Sequence, residues 1–308
     1  MIGMREGETG PVHELALPST TDLGLITIAV IGVSTSGPLI AATAAPALAL
    51  AFWRNALAAG VLLPVALTRQ RSELRNLSRR EWGLTLAAGA LLAAHFATWI
   101  PSIRYTSVAS STALVASQPV WAALLARTRG VVLARSAWIG IVIAVLGAAL
   151  LTGLDVRVSG RALTGDLLAL IGGMLAAGYV TAGAAVRRTV TTTSYTTLCY
   201  STTAILLLVV CLVGRQSLHG YSAGDWLRIA GLTVGAQLLG HSVFNRVLRT
   251  TSATVVSLSI LFEVPGATII AAIFVHQHIR LEQLPAAALL LAGLALVIRS
   301  GTRSMPAE

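Results

Sequence analysis

HFATWIPSIRYTSVASSTALVASQP over residues 95–119 and HSVFNRVLRTTSATVVSLSILFEVP over residues 241–265 are two versions of one passage. His95 aligns with His241 and Pro119 with Pro265 at an offset of 146, and Gly147 in LGAAL aligns with Gly293 in AGLAL at the same offset. The quartets starting at Arg104 and Arg249 align at 145, so one residue of slip separates them from the rest. An offset held over this length marks a tandem duplication.

Outward from these passages the chain is a series of apolar runs. Of its 308 residues, 55% are hydrophobic and 11% charged, against roughly 25% charged in a soluble domain. Crossing a ~30 Å hydrocarbon layer takes about 20 apolar residues per helix. Runs of that length, bounded by Arg, Pro and polar clusters, predict helices over 23–42, 47–67, 82–103, 107–126 and 136–153. A second set is predicted over 165–186, 195–213, 227–248, 252–275 and 283–299.

The expected organisation is an N-terminal tail over 1–22, a five-helix repeat over 23–153, a second over 165–300 and a C-terminal tail over 301–308. Five helices is an odd number, so the second copy enters the bilayer from the side opposite the first. The fold class predicted is an all-α membrane protein of ten transmembrane helices, arranged as two inverted repeats. Secondary transporters recurrently use that plan, with the substrate site near the midplane between the halves.

The net charge of +10 comes entirely from arginine, since the sequence has no lysine. These arginines sit in short loops, not in one patch, which excludes a nucleic-acid partner and points to membrane orientation. With the N-terminus inside, fifteen arginines from Arg5 to Arg303 fall on the cytoplasmic side. Six (Arg104, Arg157, Arg161, Arg215, Arg228 and Arg280) fall opposite. Both termini are therefore expected in the cytoplasm of a cell whose cytoplasmic membrane the chain spans. Arg5 stands among Glu6, Glu8, Glu14 and Asp22, the wrong sign for a signal peptide, so the first apolar run is expected to be retained. Cys199 and Cys211 lie twelve residues apart on one helix, a geometry unsuited to a disulfide, and read as small buried hydrophobes.

Polar residues inside such runs are the candidate site. Arg54 lies about 12 Å beyond a helix start near Pro46. A charge there costs about 2.5–3.5 kcal/mol to insert, so it faces a wet cavity or a partner, or anchors packing through backbone carbonyls. Glu263 reads as the one acidic residue buried within an apolar helix, a candidate for proton coupling or for a substrate amine, or else the partner that locks an Arg–Glu pair. His95 with Trp99 and His241 with Asn245 each share a helix face, and Gln237 extends the second stripe. Ser111 with Gln118, and Ser252 with Ser259 and Glu263, form further polar stripes. Gly231 and Gly235 form a GxxxG motif read as a helix contact.

No GxGxxG, P-loop or HExxH occurs, GVSTSG at Gly32–Gly37 lacks the hydrolase-elbow spacing, and no His or Cys group has metal-ligand spacing. Neither enzyme activity nor a cofactor or metal is expected. The absence of an ATP site points to transport driven by gradients.

The chain resembles the EamA-type permeases of the drug/metabolite transporter superfamily from about residue 23 to 300. The resemblance is carried by AFWR at Ala51–Arg54, RYTSVASSTALVASQP at Arg104–Pro119, RTTSATVVSLSILFEVPG at Arg249–Gly266, and the glycine-centred helices around Gly147 and Gly293. Family members often carry a Gly-Glu pair after the fourth and ninth helices; here those places read RTRG at Arg127–Gly130 and HQHIR at His276–Arg280. The resemblance implies helical hairpins lining a central cavity and export of amino acids or other small metabolites by alternating access. The expected substrate-binding set is Arg54, His95, Trp99, Gln118, His241, Asn245 and Glu263, with Glu263 also the proton-coupling candidate. The expected partners are a small-molecule substrate, the lipid bilayer and protons, and the sequence is silent on oligomeric state. A flippase for a lipid-linked or amphiphilic substrate is the alternative, to be told apart by an apolar lateral gap.

Overall fold

A computed structural model of the chain describes residues 19–247 and 253–300, without the side chains of residues 156–158, 245, 253–255 and 257. Every regular element among them is helical. The first span is Thr20–Ser34 continued by Ser36–Ala42, the second Ala47–Arg69, the third Arg79–Ser102, the fourth Val108–Val115 with Gln118–Thr128, and the fifth Arg135–Val158. A short helix, Arg71–Asn76, lies between the second and third. The second repeat follows with Gly160–Val186, Thr192–Val213, an eighth span running from Ala223 to Val247, a ninth from Ala253 to Phe274, and Leu281–Ser300. Eight of these ten are long and apolar enough to cross a membrane, and the ninth contributes a shorter apolar helix, Leu258–Phe274.

Local chemistry explains the span ends. Ser19, Ser107, Thr191 and Ser222 each accept a backbone N–H three residues on, and Ser78 forms a full capping box with Glu81. These caps satisfy amide donors where a chain enters an apolar layer that offers no other partner. The fourth span breaks between Val115 and Gln118, and the ninth between Ile260 and Glu263. Pro119 and Pro265 follow those breaks by one or two residues; each lacks an N–H and crowds the carbonyl four residues back. The interruptions are therefore copies of one device.

In lipid, burial of apolar surface does not drive helices together, so close packing of small residues does. The main packing pairs are spans three with six, five with ten, two with seven, three with seven, and one with eight. Exchanging the repeats maps three–six onto eight–one and leaves five–ten and two–seven unchanged, as a pseudo-two-fold requires. The GxxxG reading needs correction in detail. The tight approach involves Gly235 and Gly240, because a Cβ on Gly32 would come 2.7 Å from the Gly235 oxygen and 3.2 Å from the Gly240 nitrogen. Gly231 meets only the end of Leu39, at 3.7 Å.

Glu263 is also not alone as an acidic residue within the spans. Asp155 and Asp166 are buried, at 2% and 0% exposure. The fifth helix runs on past residue 153 to Val158, and the sixth starts at Gly160, not 165. Asp155 thus lies inside the fifth helix, not in a connecting loop, and Asp166 lies in the sixth, within its predicted range. Cys199 and Cys211 are free and buried.

Candidate functional site

The repeats meet at Arg54. Its side chain is fully buried, as are Asn55 beside it and Gln237 on the eighth span. Asn55 Nδ2 donates to the Ala51 carbonyl one turn back (2.8 Å), Gln237 Nε2 donates to Asn55 Oδ1 (3.0 Å), and Arg54 Nε donates to Gln237 Oε1 (2.7 Å). The Phe96 ring covers the guanidinium at 4.4 Å, a cation–π contact strengthened by exclusion of water. Nη1 and Nη2 have no hydrogen-bond partner among the described residues.

The Gln237 stretch departs from the repeat symmetry. Leu232–His241 is a π-helix, whereas the equivalent part of the third span is regular α-helix. Wide π turns are uncommon and concentrate at functional positions. Here the distorted stretch carries the residue that holds Arg54.

The other expected residues divide around this centre. His95 Nδ1 lies 2.9 Å from the Gly172 carbonyl, and its ring stacks on Trp99 at 5.7 Å, so it ties the third span to the sixth. Trp99 is buried, with an indole N–H that has no partner among the described residues. Glu263, partly buried, lies within electrostatic reach of Arg54 but makes no ion pair with it among the described residues. The Arg–Glu lock is thus replaced by an Arg–Gln bond. His241 is exposed and within electrostatic reach of both Arg54 and His95. Gln118 is partly buried at the break in the fourth span. The Asn245 side chain and Ser252 lie outside the described parts. Asn55, Phe96 and Tyr200, which couples to Arg54, were not legible as site residues, although the adjacent Arg54-Asn55 pair inside an apolar run was a signal for the first.

The two ends of the molecule differ. On the face where the first span begins, a cavity of about 680 Å³ opens between Ser19, Asp22 and Leu25 of the first span, Thr192 of the seventh, and Ser242 and Arg246 of the eighth. Beside it, Glu73 of the short helix accepts bonds from the Thr191 N–H (2.8 Å), Thr191 Oγ1 (2.6 Å) and Ser194 Oγ, while Glu81 Oε1 accepts from Thr189. Burial works to raise the Glu73 carboxyl, but the bonds from Ser194 and Thr191 outweigh it and hold it below its ordinary value.

On the opposite face the repeats are sealed together. Arg280 Nη1 donates to Asp155 Oδ1 at 2.8 Å, Gln283 bridges Asp155 and Ser110, the Val108 N–H meets Gln277 Oε1 at 3.0 Å, and the Ala44 N–H meets Asp225 Oδ1 at 3.0 Å. The pocket beside Arg280 holds only about 40 Å³.

A family model described as the EamA-like transporter family matches residues 22–153 and, separately, 163–299. No curated protein matches the chain. A solved crystal structure of another protein superposes with a TM-score of 0.63 at 18% identity, over 90% of this chain and 97% of that one, a likeness of fold.

Proposed function

We propose, since the chain belongs to the EamA-like transporter family and is a multi-pass membrane transporter of small substrates, that it is a gradient-driven carrier exporting an amino-acid-like or drug-like solute. The solute binds between the repeats near Arg54, His95, Trp99, Gln118, His241, Asn245 and Glu263, and the halves rock around it. Both termini face the cytoplasm, where retained arginines belong. The observation that carries this reading is a fully buried arginine at the inter-repeat interface whose two terminal nitrogens have no partner among the described residues. Burying such a group unpaired is costly unless something completes it.

The contrast between the ends supports alternating access. A roomy cavity on one face and a hydrogen-bonded seal on the other correspond to a carrier open to one side only. Flux measured in proteoliposomes across a panel of amino acids, amines, organic acids, drug-like compounds and fluorescent lipids tests the reading. Movement of a polar solute supports it, movement of lipid alone transfers the chain to the flippase class, and a folded protein that moves nothing down or against any gradient overturns it.

A further inference from the structure

The chain of bonds at Arg54 has a definite polarity. The Ala51 carbonyl can only accept, so Asn55 must present its NH₂ to it and its oxygen to Gln237. Gln237 must then offer its own oxygen to Arg54, and the donor it takes is Nε. Side-chain amides are usually ambiguous in orientation; here the backbone acceptor at the end of the chain settles both.

The consequence lies in what is left over. Nε is engaged, the ring of Phe96 covers one face, and the Nη1–Nη2 edge is the part of the guanidinium without a partner among the described residues. That edge is a planar fork of donors, which matches the two oxygens of a carboxylate and gives two parallel charge-assisted bonds.

Resting on the carrier reading above, we infer that the Nη1–Nη2 edge of Arg54 is the subsite for a carboxylate of the transported solute. Gln237 and Asn55 are its positioning residues, fixing the guanidinium through Nε and leaving the buried edge to the solute.

The test uses full-length protein in nanodiscs for binding and in proteoliposomes for flux. The probes are matched sets, each a carboxylic acid with its primary amide and methyl ester on one carbon skeleton, spanning amino, keto and unsubstituted acids. For any skeleton that binds, the acid is expected to bind at least about tenfold more tightly than its amide or ester, because they cannot accept both bonds as an anion. Arg54→Lys, which keeps the charge and loses the fork, is expected to remove most of that preference. Gln237→Glu places a carboxylate against Arg54 without removing it, and is expected to lower the ratio of acid to amide binding by about tenfold or more; because it also removes the donor to Asn55 Oδ1, that ratio and not the absolute affinity is the readout. That variant keeps the inference exposed even if Arg54→Lys fails to fold. Amides or esters bound and moved as well as the acids overturn the carboxylate subsite and leave the carrier standing. If none of these probes is bound or moved, the carboxylate subsite falls, and the carrier reading falls only if the wider panel above is not moved either.

Discussion

Gly147 packs directly on Leu290: a Cβ added to the glycine would lie 2.7 Å from Leu290 Cα. The pair Gly293 and Ala144 repeats the approach, with an added Cβ 2.8 Å from Ala144 Cα. The 146-residue offset carries each pair onto the other. The fifth and tenth spans therefore meet on the pseudo-two-fold, with glycines at the contact because only a bare Cα lets the backbones come that close.

Gly147→Ala and Gly293→Ala are each expected to destabilise the protein by about 1–3 kcal/mol through overpacking. The double variant should lose less than the sum, because the first substitution already separates the helices that the second would push apart. Unfolding in detergent measures all three, and additive or neutral effects would contradict the shared contact.

Glu263→Gln is expected to abolish flux driven by a pH gradient while leaving solute exchange measurable, because the amide keeps the side chain's shape but cannot carry a proton. Flux recorded against imposed pH gradients checks it. An unchanged pH dependence removes Glu263 from coupling.

Arg280→Gln leaves Asp155, 3% exposed in its side chain, without its cation on the sealed face. Removing one partner of a buried pair costs about 3 kcal/mol, and partial exposure of Arg280 brings this toward the lower end. The seal should open more often, so a cysteine at Thr268, in the pocket beside Arg280, should react faster with a membrane-impermeant thiol reagent. Asp155→Asn in the same background should restore part of the stability, and equal labelling rates would show that this pair is not the seal.

Glu73 ties the short helix to the start of the seventh span as an ionised acceptor. Its folded value is depressed, so its contribution is present above the ordinary carboxylate range, near about 4.3, and is lost as pH falls through the depressed value. Stability should thus be insensitive to this group from pH 6 to 8 and fall in acid. Glu73→Ala should cost about 1 kcal/mol at neutral pH, solvent screening keeping it small, and should flatten the acid limb. Melting temperatures from pH 3 to 8 for both proteins check this.

Some of the site was legible because membrane insertion makes polar residues expensive: Arg54, His95, His241 and Glu263 stand out in a chain with 11% charged residues. Others were hidden. Phe96 and Tyr200 look like core residues in any apolar run; Gln237 was legible as an extension of the His241 stripe, but its bond to Arg54 comes from a π-helical stretch that no residue pattern announces. Asp155 fell in a predicted connection because helix ends depend on tertiary packing as much as on local sequence, whereas Asp166, inside the predicted sixth helix, was passed over.

By itself the sequence determined the ten-span plan, the duplication and its inversion, since lipid leaves backbone amides no partner outside a helix and the odd span count reverses the second copy. The breaks before Pro119 and Pro265 interrupt helices expected to run unbroken over 107–126 and 252–275, and the missing N–H of each proline is their local cause. Only the tertiary structure decided the partners. Arg54 and Gln237 are 183 residues apart, and their bond exists because the second and eighth spans pack together. Whether Arg54 met Glu263 or Gln237 was a question of distance between helices, and distance between helices is set by how side chains pack across the pseudo-two-fold.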